Sequence, residues 1–220
     1  MPARRILSVW FPRLGAERLL RRMAPVHDVP FAVVRDTGQM QVLSSLSREA
    51  EAAGLWPGQP LRDAHAVCGQ LVTRLQNPQA EAAFLGALTR WAVRFSPWVA
   101  AEQPDSLLLD ITGCAHLFGG EEAMMTRVAE DAAALGLSAR CGLADTVGAA
   151  WALARYAGVT PSAVRSGDSI DQEARATRSR AARRRKRVTP GPSPYCTPLP
   201  RIAPPGRTHT VLAPLPVAAL

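Results

Sequence analysis

The hydrophobic and polar positions of the chain follow two periods, and the changes between them divide residues 4–158 into strands and helices. Residues 4–11, RRILSVWF, are a run of apolar and β-branched side chains that predicts a first β-strand. Residues 78–95 carry apolar side chains at the 3.6-residue spacing of an amphipathic helix, and Asn77 before them is a favourable N-cap. The recurring apolar residues of this helix are Phe84, Leu85, Leu88, Trp91 and Ala92.

The remaining elements complete an α+β pattern. Further strands are predicted at 30–36, 39–45, 70–75, 96–102, 106–112 and 138–144, and further helices at 16–23, 47–54, 59–67, 121–135 and 146–156. When residues 30–74 are set aside as an insertion, the order of the elements is β-α-β-β-α-β. This order predicts a ferredoxin-like α+β fold, in which an antiparallel sheet carries two helices on one face and the insertion forms a small appendage.

The composition changes after Gly158. The net charge of the 220-residue chain is +8, yet residues 1–160 contain 15 Arg and 15 Asp+Glu, so the whole excess lies in residues 161–220. That last quarter also holds ten of the 19 prolines, and a basic, Pro-rich composition predicts a disordered tail. The basic run at its centre is a candidate for salt-dependent DNA binding through Arg183, Arg184, Arg185, Lys186 and Arg187, or else a solvated segment without a partner.

The cysteines and the apolar runs exclude several classes of protein. The four cysteines are widely spaced and form no C-x-x-C pair, which predicts reduced thiols rather than a disulfide framework or a zinc site. No apolar run reaches 18 residues, and the N-terminal segment predicts a strand rather than a signal peptide. These features predict a cytoplasmic protein without a membrane partner.

Three segments, in order and at matching spacing, resemble the Y-family (UmuC/DinB-like, translesion) DNA polymerases. SLLLDITG (106–113) resembles the strand that carries their paired acidic residues, and CGLADTVGAAWALARYAG (141–158) resembles the strand and helix that close their palm. RRILSVWFPRL (4–14) stands where their first metal-binding strand lies. DITGCAHLFGG (110–120) further resembles the polymerase-like proteins of bacterial damage-induced mutagenesis cassettes.

The resemblance implies a domain organisation. Residues 1–158 correspond to a palm, about 1–11 and 75–158, with fingers inserted at about 12–74. Residues 159–206 have no counterpart in the family, and a shifted reading frame is one explanation for them. Residues 207–220 resemble the start of a thumb, so we expect a truncated member of the family.

The resemblance also implies where metal ions would bind. Y-family polymerases hold two divalent ions with carboxylates from the first strand and from a later acidic pair. Here Trp10 falls at the first ligand position, Pro12 lies near the second, and the acidic pair falls on Asp105 and Ser106. Asp110 resembles a structural acid of the motif. Because Asp105 is the only family acid retained, the resemblance predicts no catalytic residues and no metal site.

The nucleotide-binding positions also depart from the family pattern. The family holds the triphosphate with a Tyr and an Arg, and the matching positions here are Arg48 and Glu51. The negative charge of Glu51 would repel a phosphate. We therefore expect a catalytically silent protein, not an enzyme, that needs no cofactor and serves error-prone translesion synthesis as a scaffold or adaptor.

The family resemblance implies partners, and two alternatives stay open. The partners would be damaged DNA or primer–template, the sliding clamp, a RecA-like accessory protein and an error-prone replicative-type polymerase, in the bacterial cytosol or nucleoid. One alternative is an active translesion nucleotidyltransferase that uses Mg²⁺ with unusual ligands. The other is a non-specific nucleic-acid-binding module that works through the basic tail.

Overall fold

The computed structural model describes residues 4–23, 29–158 and 201–216. Its strands are β1 (Ile6–Trp10), β2 (Phe31–Asp36), β3 (Gln41–Leu46), β4 (Val72–Leu75), β5 (Trp98–Glu102), β6 (Ser106–Asp110) and β7 (Arg140–Ala144). Its helices are α1 (Leu14–Leu20), α2 (Arg48–Ala52), α3 (Leu61–Val67), α4 (Pro78–Ala92), α5 (Glu121–Ala134), α6 (Val147–Tyr156) and α7 (Thr208–Leu212). The basic run 183–187 lies outside the described residues.

The first sheet has the strand order β5-β6-β1-β7, and each pair of neighbours is antiparallel. On the central strand, Leu7 faces Leu109 of β6 on one side and Leu143 of β7 on the other. These leucines are fully buried beneath α4 and α5, which pack on the same face of the sheet. The order and the two helices confirm the predicted ferredoxin-like α+β fold.

The opposite face of this sheet carries α6. Its small side chains and Leu153 pack against Ile6 and Ala144, two residues that alternate with the leucines of the first face. The contact between helix and strand is close at Gly142, where an added Cβ would lie 2.2 Å from the backbone nitrogen of Ala154. α6 therefore lies directly on β7 with no side chain between their backbones.

The second sheet has the order β3-β2-β4 and contains both antiparallel and parallel pairs. α2 and α3 cover one face, and α1 contributes Ala16 to the other. Two helices begin at the residues that the sequence predicts. The Ser47 hydroxyl accepts a hydrogen bond from the backbone N–H of Ala50 at 3.2 Å, and the Asn77 side chain accepts one from Ala80 at 2.9 Å.

Residues 201–206, at the end of the predicted basic and Pro-rich segment, lie beside β7. The N–H of Leu143 donates to the carbonyl of Arg201 at 2.9 Å, and the N–H of Ala203 donates back to Leu143 at 2.8 Å. Ala203 is fully buried, and α7 continues the contact by packing Val211 against α6. The apolar side chains after the Pro-rich stretch thus add to the core around α6.

Arg5 joins this segment to the sheet. The guanidinium is buried and forms ion pairs with Glu121 at 2.7 Å and Asp145 at 2.8 Å, and it also donates to the carbonyl of Ala203 at 2.9 Å. Burial alone would lower the pKa of Arg5, but the two carboxylates raise it above its usual range. Burial would also raise the pKa of Asp145, yet hydrogen bonds from Gly206 and Arg5 hold it below its usual range.

The N-cap of α6 is Thr146, the residue that follows Asp145. The Thr146 side chain accepts the hydrogen bond from Ala149 at 3.3 Å. Within the described residues, no helix combines the length and the apolar character that a membrane crossing requires.

Candidate functional site

A row of polar and aromatic residues crosses the first sheet at the end where β1 leads into α1. The strand register places Trp10 between Ser106 on β6 and Arg140 on β7, and Glu102 on β5 is opposite Ser106. Asp105 immediately precedes β6 and is tied to β1 through its carbonyl, which accepts the backbone N–H of Phe11 at 2.9 Å. The structure therefore brings together Trp10, Asp105 and Ser106, three of the four ligand positions inferred from the sequence.

The carboxylate of Asp105 accepts hydrogen bonds from three side chains. The Trp10 indole Nε1 donates to Oδ2 at 3.0 Å, and the Ser106 hydroxyl donates to Oδ1 at 3.2 Å. The third donor is Arg155 of α6, whose Nη2 lies 3.0 Å from Oδ1 and also donates to the Ser106 hydroxyl oxygen at 3.0 Å. Ser106 is fully buried, so its hydroxyl is committed to this cluster.

Sequence reasoning missed Arg155. Its guanidinium carbon lies 5.2 Å from the ring centroid of Trp10 and 4.3 Å from that of Trp151, so it makes cation–π contacts with two indoles. Trp151 and Arg155 are four residues apart on α6, and this spacing on one helical face is the signal that could have paired them. Arg140 places a second guanidinium near Trp10, with its carbon 5.5 Å from the centroid of the Trp10 ring.

The residues of this row do not fit the two divalent ions that the fold family implies. Mg²⁺ is held by several oxygen ligands, mainly carboxylates, and an indole N–H offers no lone pair to a cation. Asp105 already binds three protein donors, and the Ser106 hydroxyl is engaged with Arg155. Within the described residues, His, Cys, Asp and Glu form no group of three or more that could hold a metal ion.

A small cavity adjoins the row, between the end of β1, β3 and the start of α4. Its volume is about 70 Å³, well below the roughly 300–1,000 Å³ of a typical ligand pocket. Pro12, near the second inferred ligand position, lines it together with Asp105 and Glu81. Glu81 is buried; its Oε2 accepts a hydrogen bond from Gln76 at 2.7 Å, whereas its Oε1 has no hydrogen-bond partner. Two acidic residues thus line a space too small for a nucleoside triphosphate.

The two positions inferred for nucleotide binding have different surroundings. Arg48 is exposed at the first turn of α2. Glu51 is only partly exposed and forms an ion pair with Arg13, which also donates to the Ser138 hydroxyl at 3.3 Å. Sequence reasoning missed Arg13, whose charge offsets the carboxylate that was expected to repel phosphates.

Two arginines lie close together at the start of β7. Burial, and then the nearby charge of Arg201, lower the pKa of Arg140 below its usual range. Arg140 donates to the carbonyl of Ala157 at 2.7 Å, and the Arg201 guanidinium lies near Gly158. In the part of the chain that the structure describes, no carboxylate forms an ion pair with either arginine. This pair of like charges could accept an anion such as a phosphate.

Comparison with known sequences identifies relatives over most of the first sheet and the insertion. The profile of the impB/mucB/samB family (IMS) matches residues 10–155. Proteins named ImuB from two strains of Caulobacter vibrioides, NA1000 / CB15N and ATCC 19089 / CIP 103742 / CB 15, are each 52% identical to this chain over 103 residues. The match covers 47% of this chain and 22% of each relative, so this chain aligns with about a fifth of each relative's length.

Solved structures of DNA polymerases share the fold. A post-insertion binary complex of Dbh DNA polymerase superimposes with a TM-score of 0.61 at 16% identity, over 68% of this chain and 45% of that one. DinB from Sulfolobus solfataricus superimposes with a TM-score of 0.56 at 15% identity, with the same coverage. The chain spans less than half of these polymerases.

These similarities confirm the resemblance drawn from the three segments and correct one expectation. The prediction that the chain is not an enzyme is wrong, because the family and the solved structures that match it are those of Y-family DNA polymerases. The loss of acidic residues at ligand positions does not by itself establish inactivity. Because the family profile matches 146 consecutive residues, from 10 to 155, the chain belongs to the impB/mucB/samB family of Y-family polymerase-like proteins.

Proposed function

We propose that the chain acts in DNA damage tolerance, as a polymerase-like scaffold that holds primer–template DNA and partner proteins during translesion synthesis. The observation that carries this proposal is the row across the first sheet, where the palm-like sheet is intact and Asp105 is bound by Trp10, Ser106 and Arg155. Such a row preserves the shape of a polymerase palm through protein contacts. The match to ImuB proteins supports the assignment to damage tolerance.

The proposal assigns each part of the chain to a polymerase subdomain. Residues 1–11 and 75–158 would form the palm, residues 12–74 the fingers, and residues 207–220 the start of a thumb. DNA would approach the side of the palm where Arg140 and Arg201 lie, since paired guanidinium groups bind phosphate oxygens and gain affinity by releasing counterions. The structural relatives include insertion and post-insertion complexes of Dbh DNA polymerase, which supports DNA as a ligand for this fold.

The family resemblance supports protein partners as well. We include the sliding clamp, a RecA-like accessory protein and an error-prone replicative-type polymerase in the proposal, with the cytoplasm as the site of action. Co-purification of tagged chain with a purified bacterial sliding clamp would test the first of these interactions.

Binding to a fluorescent primer–template tests the scaffold proposal. Anisotropy measured from about 50 to 200 mM salt should show binding that weakens linearly on a log–log plot. Arg140→Gln and Arg201→Gln should each lower the slope by about one, as expected for one lost phosphate contact. Arg90→Gln is the matched control, because Arg90 is exposed on α4, on the other face of the sheet. Wild-type chain that fails to bind primer–template at the lowest salt would contradict the proposal.

Family membership favours a second candidate, nucleotidyl transfer. The matching solved structures are DNA polymerases, so primer extension should be measured on the same preparation with Mg²⁺ and with Mn²⁺. Extension that Asp105→Ala abolishes would establish this activity and assign Asp105 to it. Extension that survives Asp105→Ala would have to come from another site or from a contaminating polymerase.

A further inference from the structure

The Asp105 carboxylate already has a cation beside it, and this cation belongs to the protein. Arg155 Nη2 lies 3.0 Å from Oδ1 of Asp105, and the side chains are only 15% and 26% exposed. The two residues are 50 positions apart, so the tertiary fold alone brings them together. We propose that Arg155 is the built-in counter-ion of Asp105, so that this row of the palm is held together without a divalent metal ion.

The position of the guanidinium is determined by three independent contacts. Trp151 holds one side of it at 4.3 Å, Trp10 lies at 5.2 Å, and the Ser106 hydroxyl accepts a hydrogen bond from the same Nη2. The planar shape of a guanidinium suits stacking on indoles. The Arg155 guanidinium is therefore fixed beside Asp105 by its neighbours and is not a mobile surface group.

The charge of Asp105 is balanced without an added ion, because its carboxylate is paired with the Arg155 guanidinium. A divalent cation at Asp105 would have to approach the Arg155 charge directly, or displace it and break its hydrogen bonds to two residues. Displacement would leave a buried guanidinium with little compensation, because Arg155 Nη1 is already buried without a hydrogen-bond partner.

A double-mutant cycle on the full chain tests the pairing. We expect Asp105→Asn and Arg155→Met each to lower the folding equilibrium constant, measured by urea unfolding, by about tenfold, since each leaves a partly buried charge unpaired. The double variant should lose much less than the product of the single losses, which corresponds to a coupling of about fivefold or more. Arg155→Lys keeps the charge and provides a variant that folds if Arg155→Met does not.

The exposed pair Arg4–Asp110 is the matched control for the cycle. Its atoms are 3.2 Å apart, similar to the Asp105–Arg155 distance, but Arg4 is 67% exposed. Coupling between Arg4→Met and Asp110→Asn should stay below about twofold, as for ordinary surface pairs. Coupling between Asp105 and Arg155 that is no larger than this control would overturn the proposal.

Titration with Mn²⁺ tests the same proposal without depending on the folding of any Arg155 variant. The melting temperature of the wild-type chain should be the same in millimolar Mn²⁺ and in EDTA, because the carboxylate is already paired. A rise in melting temperature with Mn²⁺ that Asp105→Asn abolishes would show that Asp105 is a metal ligand and would overturn the proposal.

Discussion

Replacing Gly142 of β7 with alanine adds a methyl group that would clash with the backbone of α6. The added Cβ would lie 2.2 Å from the nitrogen of Ala154, 2.4 Å from the carbonyl oxygen of Ala150 and 2.8 Å from the carbonyl carbon of Leu153. All three neighbours are backbone atoms of a helix, so none can rotate away as the end of a side chain could. The helix must move outward from β7 by more than about 1 Å to restore ordinary van der Waals contact.

The cost of this movement can be estimated from the side chains that α6 buries. A gap of about 0.5–1 Å forfeits a quarter to a half of the contact energy. Burial of Leu153 contributes about 2 kcal/mol and each alanine methyl of this face about 0.8 kcal/mol, so the lost contacts cost about 1–2 kcal/mol. Residual strain from overpacking adds about 1–3 kcal/mol, and we expect Gly142→Ala to destabilise the chain by about 3 kcal/mol.

Thermal and urea unfolding followed by tryptophan fluorescence provide the measurement. For a domain of this size, about 3 kcal/mol corresponds to a melting temperature lower by about 6–12 °C. Gly86→Ala is the matched control, since Gly86 lies inside α4 with no atom within 4 Å of an added Cβ. It should stabilise the chain by up to about 1 kcal/mol, because alanine favours the helix.

The two substitutions change the unfolded chain in the same way, so their difference reports on the folded structure. Opposite signs are expected. A melting temperature for Gly142→Ala equal to or above the wild-type value would refute the direct contact between α6 and β7.

Three further predictions concern Arg5, the two aspartates with lowered pKa values, and Cys141. Arg5→Met should destabilise the chain by about 3 kcal/mol in urea unfolding, because it leaves the carboxylates of Glu121 and Asp145 without their cation; a change below about 0.5 kcal/mol would contradict this. The lowered pKa values of Asp110 and Asp145 contribute stability that is complete above the unfolded-state pKa of about 4 and is lost as the pH falls below it. The melting temperature should therefore drop below about pH 4 and drop less in Asp145→Asn, whereas an equal drop would exclude Asp145 as the cause. Burial raises the pKa of Cys141 to about 12, so its thiol should resist iodoacetamide in native buffer at pH 8 and react in urea, as peptide mass mapping would show.

The order and type of the elements could be predicted because they depend on residues near one another in the chain. Apolar spacing located α4, and the side chains of Ser47 and Asn77 located the starts of two helices within one turn. The β-α-β-β-α-β order then predicted the antiparallel sheet that the structure contains. The resemblance of three segments indicated the family, and the profile match over residues 10–155 confirmed it.

The chemistry of the site depended on contacts that no local pattern contains. The sequence placed Trp10, Asp105 and Ser106 in one row by resemblance, but it did not reveal that Arg155 binds Asp105 from 50 residues away. Nor did it reveal that Arg13 pairs with Glu51, 38 residues along the chain. The Asp105–Arg155 pair is decided by the register of β1 against β6 and by the rotation of α6 about its own axis, and the Arg13–Glu51 pair by the relative placement of α1 and α2. Strand register and helix placement follow from the packing of the whole core, so they cannot be predicted from the spacing of residues along the chain.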